Sequence, residues 1–482
     1  MTKKYLTYEE FGAIGDGKND DFAAIIACHE EANRTGLSVR ALDGATYYIG
    51  GKDAHAVIKT DVDFGKAKFV IDDRAVERNA SYVFSIESDF PTLDVQLPPI
   101  KKGQKHIDFP HEGNVFITAY NDNHKVYIRK GLNKSDGTAT TDVFIVDKDG
   151  SIYPTVNFDY PEVTRANMRC TDDKPITVTG GIFVTVANQQ ESFYRYLQRG
   201  FQVSRSHVTI CGFEHYVEGE LDHGAPYHGF IRSNYAYDLT IRDAVMTPRF
   251  IYYTASKIPG RDVSMGSYDL SFWSSIDVRC INIEQTIDIL NNKYWGIYTS
   301  NFCKNLYLEN CTFSRFDSHM GVTNATIKNC RLGHQGINLI GFGEFIVEDT
   351  LITNRVSSMI ALRGDYGSTF EGNITIRNCE WHNRSNRGVI VAENNEGDHD
   401  FGYDCYYGKN IKIEGLKIKL AAGQSPEEMK VSVLNDAKGT SSSLPFPYIA
   451  PESVEVSGLE CDGGVPYVIS YAPENIKGTK IL

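Results

Sequence analysis

Between Asn292 and Asp365 the chain gathers Arg315, Asp317, His319, His334, Gln335, Asn338, Arg363 and Asp365 at the ends of short apolar segments. In an extended strand residues i and i+2 face the same side, so Arg315, Asp317 and His319 of R-F-D-S-H point together. An arginine there depresses the pKa of a neighbouring acid, and an aspartate orients an imidazole. Cleavage of a glycosidic bond needs two carboxylic groups, one as acid and one as base or nucleophile. Asp317, Asp365 and the earlier Asp269 are the candidates, with His319 as a further catalytic group. Arg315, Arg363, His334, Gln335 and Asn338 are expected to hold substrate. Tyr268, Trp295 and Tyr298 offer ring faces for stacking. His223 and His228, in D-H-G-A-P-Y-H, complete the contact set. The competing readings are structural: aspartates that cap turns, a surface Arg–Asp–His network, and aromatic rings buried in the core.

Those residues share a wall only if successive segments stack. From about Val203 the segments VTICGF, LTIRDAV, DVRCINI, LYLENCTF, ATIKNCRL, FIVEDTLI, ITIRNCEW, IKIEGLKI and VEVSGLEC repeat one pattern of alternating apolar residues around a small residue. This is a solenoid signature, with loops inserted on one edge. Aligned on the small residue, Cys211, Ala244, Cys280, Cys311, Cys330, Thr350, Cys379 and Gly415 are predicted to form an internal ladder. The cysteines then act as small soft hydrophobes and are read as free thiols. Asn310, Asn329 and Asn378, each just before a ladder cysteine, are placed to stack at a turn.

The chain opens with Y-E-E-F-G-A-I-G-D-G-K-N-D-D and an apolar run. Gly12, Gly15 and Gly17 allow a tight turn, and Asp20 or Asp21 can cap a helix starting near Phe22 and ending before Gly36. This opening resembles the N-terminal cap of the pectate-lyase-like, right-handed parallel β-helix superfamily. That superfamily includes polygalacturonase-type hydrolases, lyases, epimerases and phage tailspikes, and in it the helix plugs the open end of the solenoid. D-S-H also resembles the D-P-H motif of alginate-type C5 epimerases at Asp317 and His319. The N-T-D, D-D, G-H-G and R-I-K series of the polygalacturonases is absent from the repeats.

Residues 72 to 200 break the regularity. GNVFITAYNDNHKVYIRKG, DVFIVDKDGSIYPTVNFDY and GGIFVTVANQ alternate around N-D-N, K-D-G and G-G turns, the pattern of antiparallel hairpins. The expected architecture is all-β: a single-stranded right-handed parallel β-helix with an N-terminal capping helix and an inserted antiparallel β-subdomain. The divisions are 1–71 for cap and first coils, 72–200 for the insert, and 201–482 for the main β-helix. After Lys419 a loop-like excursion is expected before the last rung.

Composition narrows the function. The 482 residues are 41% hydrophobic with a net charge of −13, and no Lys/Arg-rich run offers a nucleic-acid footprint. No apolar run reaches the roughly 20 residues that span a bilayer. The amino terminus has no apolar leader core, so the chain is read as cytoplasmic, or as exported with its leader removed. No acidic cluster or Cys/His spacing calls for a metal, and no cofactor is predicted. The expectation is a carbohydrate-active enzyme, a glycoside hydrolase acting on an oligo- or polysaccharide. The alternatives are a metal-independent lyase or C5 epimerase for uronate glycans, and a non-catalytic tailspike-like binder. The insert is a candidate homo-oligomer interface.

Overall fold

Among the described residues, successive coils turn a corner through a residue in the left-handed backbone region, as at Gly212, Asp243, Asn282, Asn310, Asn329, Asp349, Asn378, Gly415 and Gly458. The computed structural model describes residues 4–77, 81–129, 136–192, 196–255, 262–296, 298–353, 358–383, 388–392, 399–420, 425–436 and 448–482. The chain divides into two units. One comprises Met1–Pro91, Thr171–Trp273 and Val278–Tyr298; the other comprises Thr92–Cys170, Ser274–Asp277 and Thr299–Leu482.

In the first unit, short strands pair in parallel. Lys68–Asp72 pairs with Ile182–Val186, which pairs with Glu214–Glu218. Phe84–Glu87, Phe201–Ser204, Ile231–Asn234 and Leu270–Trp273 form a second stack. In-register parallel pairing sets like side chains above one another. Phe69 stacks on Phe183 at 5.0 Å, and Phe84 on Phe201 at 4.8 Å. The chain has the helix foreseen, Phe22–Thr35, ended by Gly36 at φ 72°. Asp20 Oδ1 accepts the Phe22 N–H, whereas Asp21 turns back to accept from Ile14 and Gly15.

In the second unit, Met320–Lys328, Gly341–Glu348, Phe370–Asn383, Asn410–Leu420 and Ser453–Cys461 stack in parallel. On another side run Thr312–Asp317, Arg331–Leu339, Ile360–Leu362, Ile390–Ala392 and Val431–Asp436. Phe316, Ile337, Ile360 and Ile390 lie one above another and are buried. The pairing of Val431–Asp436 corrects the loop expected after Lys419: KVSVLND is a rung.

The corners explain the register. Asn310, Asn329, Asp349 and Asn378 have φ between 49° and 54°. The left-handed region costs most L-residues about 1–2 kcal/mol, and Asn, Asp and Gly tolerate it best. Asn329 Nδ2 donates to Asn310 Oδ1 at 2.5 Å. The predicted amide stack is thus present between these two, with Asp349 standing between Asn329 and Asn378. The ladder of small residues is shorter than expected. Cys311, Cys330, Thr350 and Cys379 follow the corner residue and stack. Cys211 and Cys280 precede their corners, Gly212 and Asn282, and Gly415 is itself a corner. Aligning on small side chains missed what sets the register, a positive φ. All ten cysteines are free thiols.

The antiparallel sheet is narrower than the stretch 72–200. It contains Leu93–Val95, Val115–Val126, Thr138–Val146, Ile152–Tyr153 and Arg165–Cys170. N-D-N is no turn but an irregularity inside Val115–Val126, where the pairing slips between Asn121 and Lys125. GGIFVTVANQ forms a parallel rung, because Ile182–Val186 lies between two strands of the coil. The sheet, 92–170, groups with the rungs after 299.

Replacing Asn329 with leucine removes the link to Asn310 and strains the corner, which should cost about 1–3 kcal/mol. Asn329→Gly keeps the backbone and should cost only about 1 kcal/mol. Urea midpoints of the two variants check the order.

Candidate functional site

Asp317 ends the strand Thr312–Asp317 on the face opposite Phe316, together with Arg315. It does not reach solvent. Arg315 donates to its Oδ2 at 2.8 Å and Arg363 to its Oδ1 at 2.6 Å, and the carboxylate is fully buried. Arg363 also forks onto Asp365 at 3.0 and 2.7 Å, and Arg129 reaches the same carboxylate at 3.1 Å. Burial alone would raise Asp365, but Arg363 and Arg129 outweigh it and hold the carboxyl below its ordinary value. Asp365, held by two guanidiniums, is a poor proton donor near neutrality.

His319 completes this cluster. Its Nδ1–H donates to Asn301 Oδ1 at 3.0 Å, which leaves Nε2 to accept from Tyr366 O–H at 3.5 Å. Burial, reinforced by Arg363, pushes the imidazole down to about 3, so it is neutral at physiological pH. Burial raises the Tyr366 phenol to about 12. The expected grouping of Arg315, Asp317, His319, Arg363 and Asp365 is therefore present, with Arg129 and Tyr366 as members that periodicity did not indicate.

The other predicted residues fall elsewhere. His334 is fully buried beside the slip in pairing between Phe313 and Arg315. Its burial closes it to substrate. Asn338 donates to the Gln335 carbonyl at 3.3 Å, and both are half-buried. In the first unit, Asp269 is buried and accepts from His215 Nδ1 at 2.8 Å, while Thr185 O–H donates to His215 Nε2 at 3.0 Å. That relay is sealed, with Phe230 stacked on the imidazole at 3.7 Å. Asp269 is thus a core partner of a buried histidine and not a groove carboxylate. Tyr298 is fully buried against Phe272, so it offers no ring face to a sugar. Trp295 lies flat on Gly266, where a Cβ would come within 1.8 Å of the indole, and meets Tyr268 edge-on at 5.8 Å. His228 stacks on Tyr196 at 5.0 Å, and burial lowers it to about 3. His223 sits at the surface, donating to Asp222 at 2.8 Å.

The open concavity of the second unit is one that the repeat pattern did not single out. It encloses about 410 Å³ between the antiparallel sheet and the coil. Phe158, Phe342, Tyr403 and Tyr406 supply aromatic surface over the buried Tyr127, and Asp159, Glu371 and Asp404 supply carboxylates. Phe158 meets Phe342 edge-on at 5.2 Å. Glu371 is bridged by Lys102 at 2.5 Å and Lys409 at 3.0 Å, while Asp404 is exposed. The cleft abuts the arginine cluster through aromatic rings: Tyr127 packs edge-on against Tyr366 at 5.7 Å, and Tyr403 O–H donates to the Tyr366 carbonyl at 2.7 Å.

No protein-family model matches the chain, and no curated protein matches its sequence. Solved structures do match. The tailspike protein gp49 of Pseudomonas phage LKA1 aligns over 99% of this chain and 84% of its own, at 14% identity and a TM-score of 0.54. The tailspike gp61 of Pseudomonas phage phi297 aligns over 97% and 84%, at 12% identity and a TM-score of 0.55. The Gp54 tailspike of Acinetobacter baumannii bacteriophage AP22, solved with A. baumannii capsular saccharide, covers 99% and 79%, at 9% identity and 0.53. The chain has the pectate-lyase-like parallel β-helix fold. At these identities the likeness shows the fold alone. In the second unit, Arg129 and the cleft's Asp159 lie on connections between strands of the antiparallel sheet, Glu371 on the rung Phe370–Asn383, and Asp404 just before the short strand Cys405–Tyr406.

The low value at His319 has a sign that can be checked. Below pH 6.5, its ordinary value, the unfolded chain takes up a proton that the folded chain refuses until about pH 3. Stability therefore falls as pH falls through that window, by about 1.4 kcal/mol per pH unit from this residue. His319→Gln should lose less stability than the parent between pH 7 and pH 5, read from paired urea titrations.

Proposed function

We propose that this chain is a carbohydrate-active protein that seats an oligo- or polysaccharide in the cleft of its second unit and hydrolyses it. The observation that carries this reading is the lining: four partly exposed aromatic rings interleaved with three carboxylates in a cleft of about 410 Å³. Ring faces pack on the C–H faces of sugars, and carboxylates take their hydroxyls or do acid–base work. Asp404 is the general acid in this reading, and Glu371, fixed by two ammonium groups, is the base or nucleophile. Asp317 and Asp365 then act as fixed anions that position Arg315, Arg363 and Arg129. The co-crystallised capsular saccharide of the AP22 tailspike supports a glycan as ligand for this fold. The helix Phe22–Thr35, whose buried face packs on the first strands, is read as the cap of the first coil.

A second reading has its own observation. His319 beside Tyr366, flanked by Arg363 and Arg129, has the layout of a uronate site, the arginines facing the carboxylate and the His319–Tyr366 pair the C5 proton, as in a metal-independent lyase or epimerase.

One panel separates the readings: dextran, chitin oligosaccharides, hyaluronan, alginate and polygalacturonate. The proposal expects new reducing ends without unsaturated-uronate absorbance. Asp404→Asn and Glu371→Gln should each lower turnover by about 100-fold or more while leaving binding in place. Unsaturated product, or deuterium uptake at C5, abolished by His319→Ala and untouched by Asp404→Asn, would move the chemistry to the arginine cluster. Binding without turnover would make the chain a glycan-binding protein.

A further inference from the structure

Four successive rungs of the second unit place Lys304, Thr323, Phe342 and Glu371 in one register row, since Lys304 pairs with Thr323, Thr323 with Phe342, and Phe342 with Glu371. This row meets the antiparallel sheet side chain by side chain. Lys304 Nζ donates to the Thr155 carbonyl at 2.5 Å and pairs with Asp142 Oδ1 at 2.5 Å. Asp142 Oδ2 accepts the Asn157 N–H at 2.6 Å, and Asn157 Nδ2 donates to Thr323 Oγ1 at 2.8 Å. Phe342 meets Phe158. Glu371 meets Lys102, whose own N–H donates to Asp159 Oδ1 at 2.9 Å. The segment 155–159 is thus read out residue by residue along the coil, and Asn157, Phe158 and Asp159 are one wall of the cleft.

The two ends of the row differ. Lys304 and Asp142 are each about 1% exposed, whereas Lys102 and Glu371 are 42% and 14% exposed. An exposed pair exchanges readily with water and ligand. A buried pair adds little net stability over an apolar pair, yet each partner demands a defined direction from the other. Asp142 uses both oxygens, and Lys304 spans to a backbone carbonyl, so the pair fixes the angle of the wall and not merely its attachment.

We propose that Lys304 and Asp142 are positioning residues for the cleft: their buried ion pair sets where Phe158 and Asp159 stand relative to Phe342 and Glu371. The consequence for ligand rests on the glycan reading above; the placement of the wall does not. Lys304→Met alone strands a buried carboxylate and can unfold the chain, so the informative variant is Lys304→Met with Asp142→Asn. This pair carries no charge and keeps an acceptor for the Asn157 N–H.

Hydrogen exchange and glycan affinity are measured on the full-length parent and the double variant, using whichever of the five panel polysaccharides the parent binds. We expect a melting temperature close to the parent's, faster exchange confined to amides 155–159, and an affinity lower by about tenfold or more. Unchanged exchange at 155–159 in the folded variant would overturn the proposal. So would a general rise in exchange with a lowered melting temperature, which marks a purely structural pair. If the parent binds none of the five but exchange at 155–159 still rises selectively, the positioning role stands and the glycan reading falls.

Discussion

The left-handed corner is the constraint on which each unit depends. A parallel coil must change direction at the same place in every turn, or its strands lose register and its core rows break. Asn310, Asn329, Asp349 and Asn378 hold that place at nearly one backbone geometry. Where one corner side chain can reach the next it does so, as Asn329 does to Asn310 and Asn324 to Asn305 at 2.9 Å. Because register is kept, the side chains of neighbouring rungs add up. Phe316, Ile337, Ile360 and Ile390 make a continuous apolar row, and Lys304, Thr323, Phe342 and Glu371 make one that meets the segment 142–159 and Lys102.

Repetition was legible in the sequence, and so was the fold it implies, because alternating apolar residues and turn residues are local signals. The register was only half legible. Cysteine is conspicuous, and aligning on it put Cys211 and Cys280 on the wrong side of their corners, whereas Asp243, Asn282 and Gly212 mark the corners themselves. A search for Asn, Asp or Gly between two apolar runs finds the true period. The arginine cluster was legible as well, since Arg315, Asp317 and His319 alternate along one strand and Arg363 and Asp365 flank a tight turn. What the pattern did not show was burial. Asp317 looks outward by strand parity, yet Arg315 and Arg363 close over it.

The cleft was not legible for a different reason. Its walls come from stretches far apart in the chain, Lys102 to Pro161 on one side and Ile340 to Tyr406 on the other. The antiparallel sheet leaves the chain after Pro91, before most of the rungs have been made, yet it groups with rungs that follow Thr299. No local periodicity encodes such a return. Particular residues do, Phe158 against Phe342 among them, and the polar ones are inconspicuous in sequence: one lysine in K-N-L-Y-L, one aspartate in T-T-D-V-F and one asparagine in T-V-N-F-D.

This division of labour bears on which carboxylates can do chemistry. A carboxylate gripped by two guanidiniums is held below its ordinary pKa, as with Asp365 between Arg363 and Arg129, and a carboxyl that stays ionised is a poor general acid. Such a cluster instead supplies a rigid field, and it holds His319 neutral by burial and by the adjacent Arg363. Proton transfer needs a carboxylate whose surroundings change when substrate enters. Asp404 at the exposed rim qualifies, and so does Glu371, whose partner Lys102 is itself half in water. A sugar that displaces water from the Lys102–Glu371 pair would strengthen their interaction as the local dielectric falls, or would replace it with hydroxyl contacts. The arrangement therefore separates an arginine-held cluster around the fully buried Asp317 from a cleft that carries Asp404 at its exposed rim and the lysine-bound, half-buried Glu371.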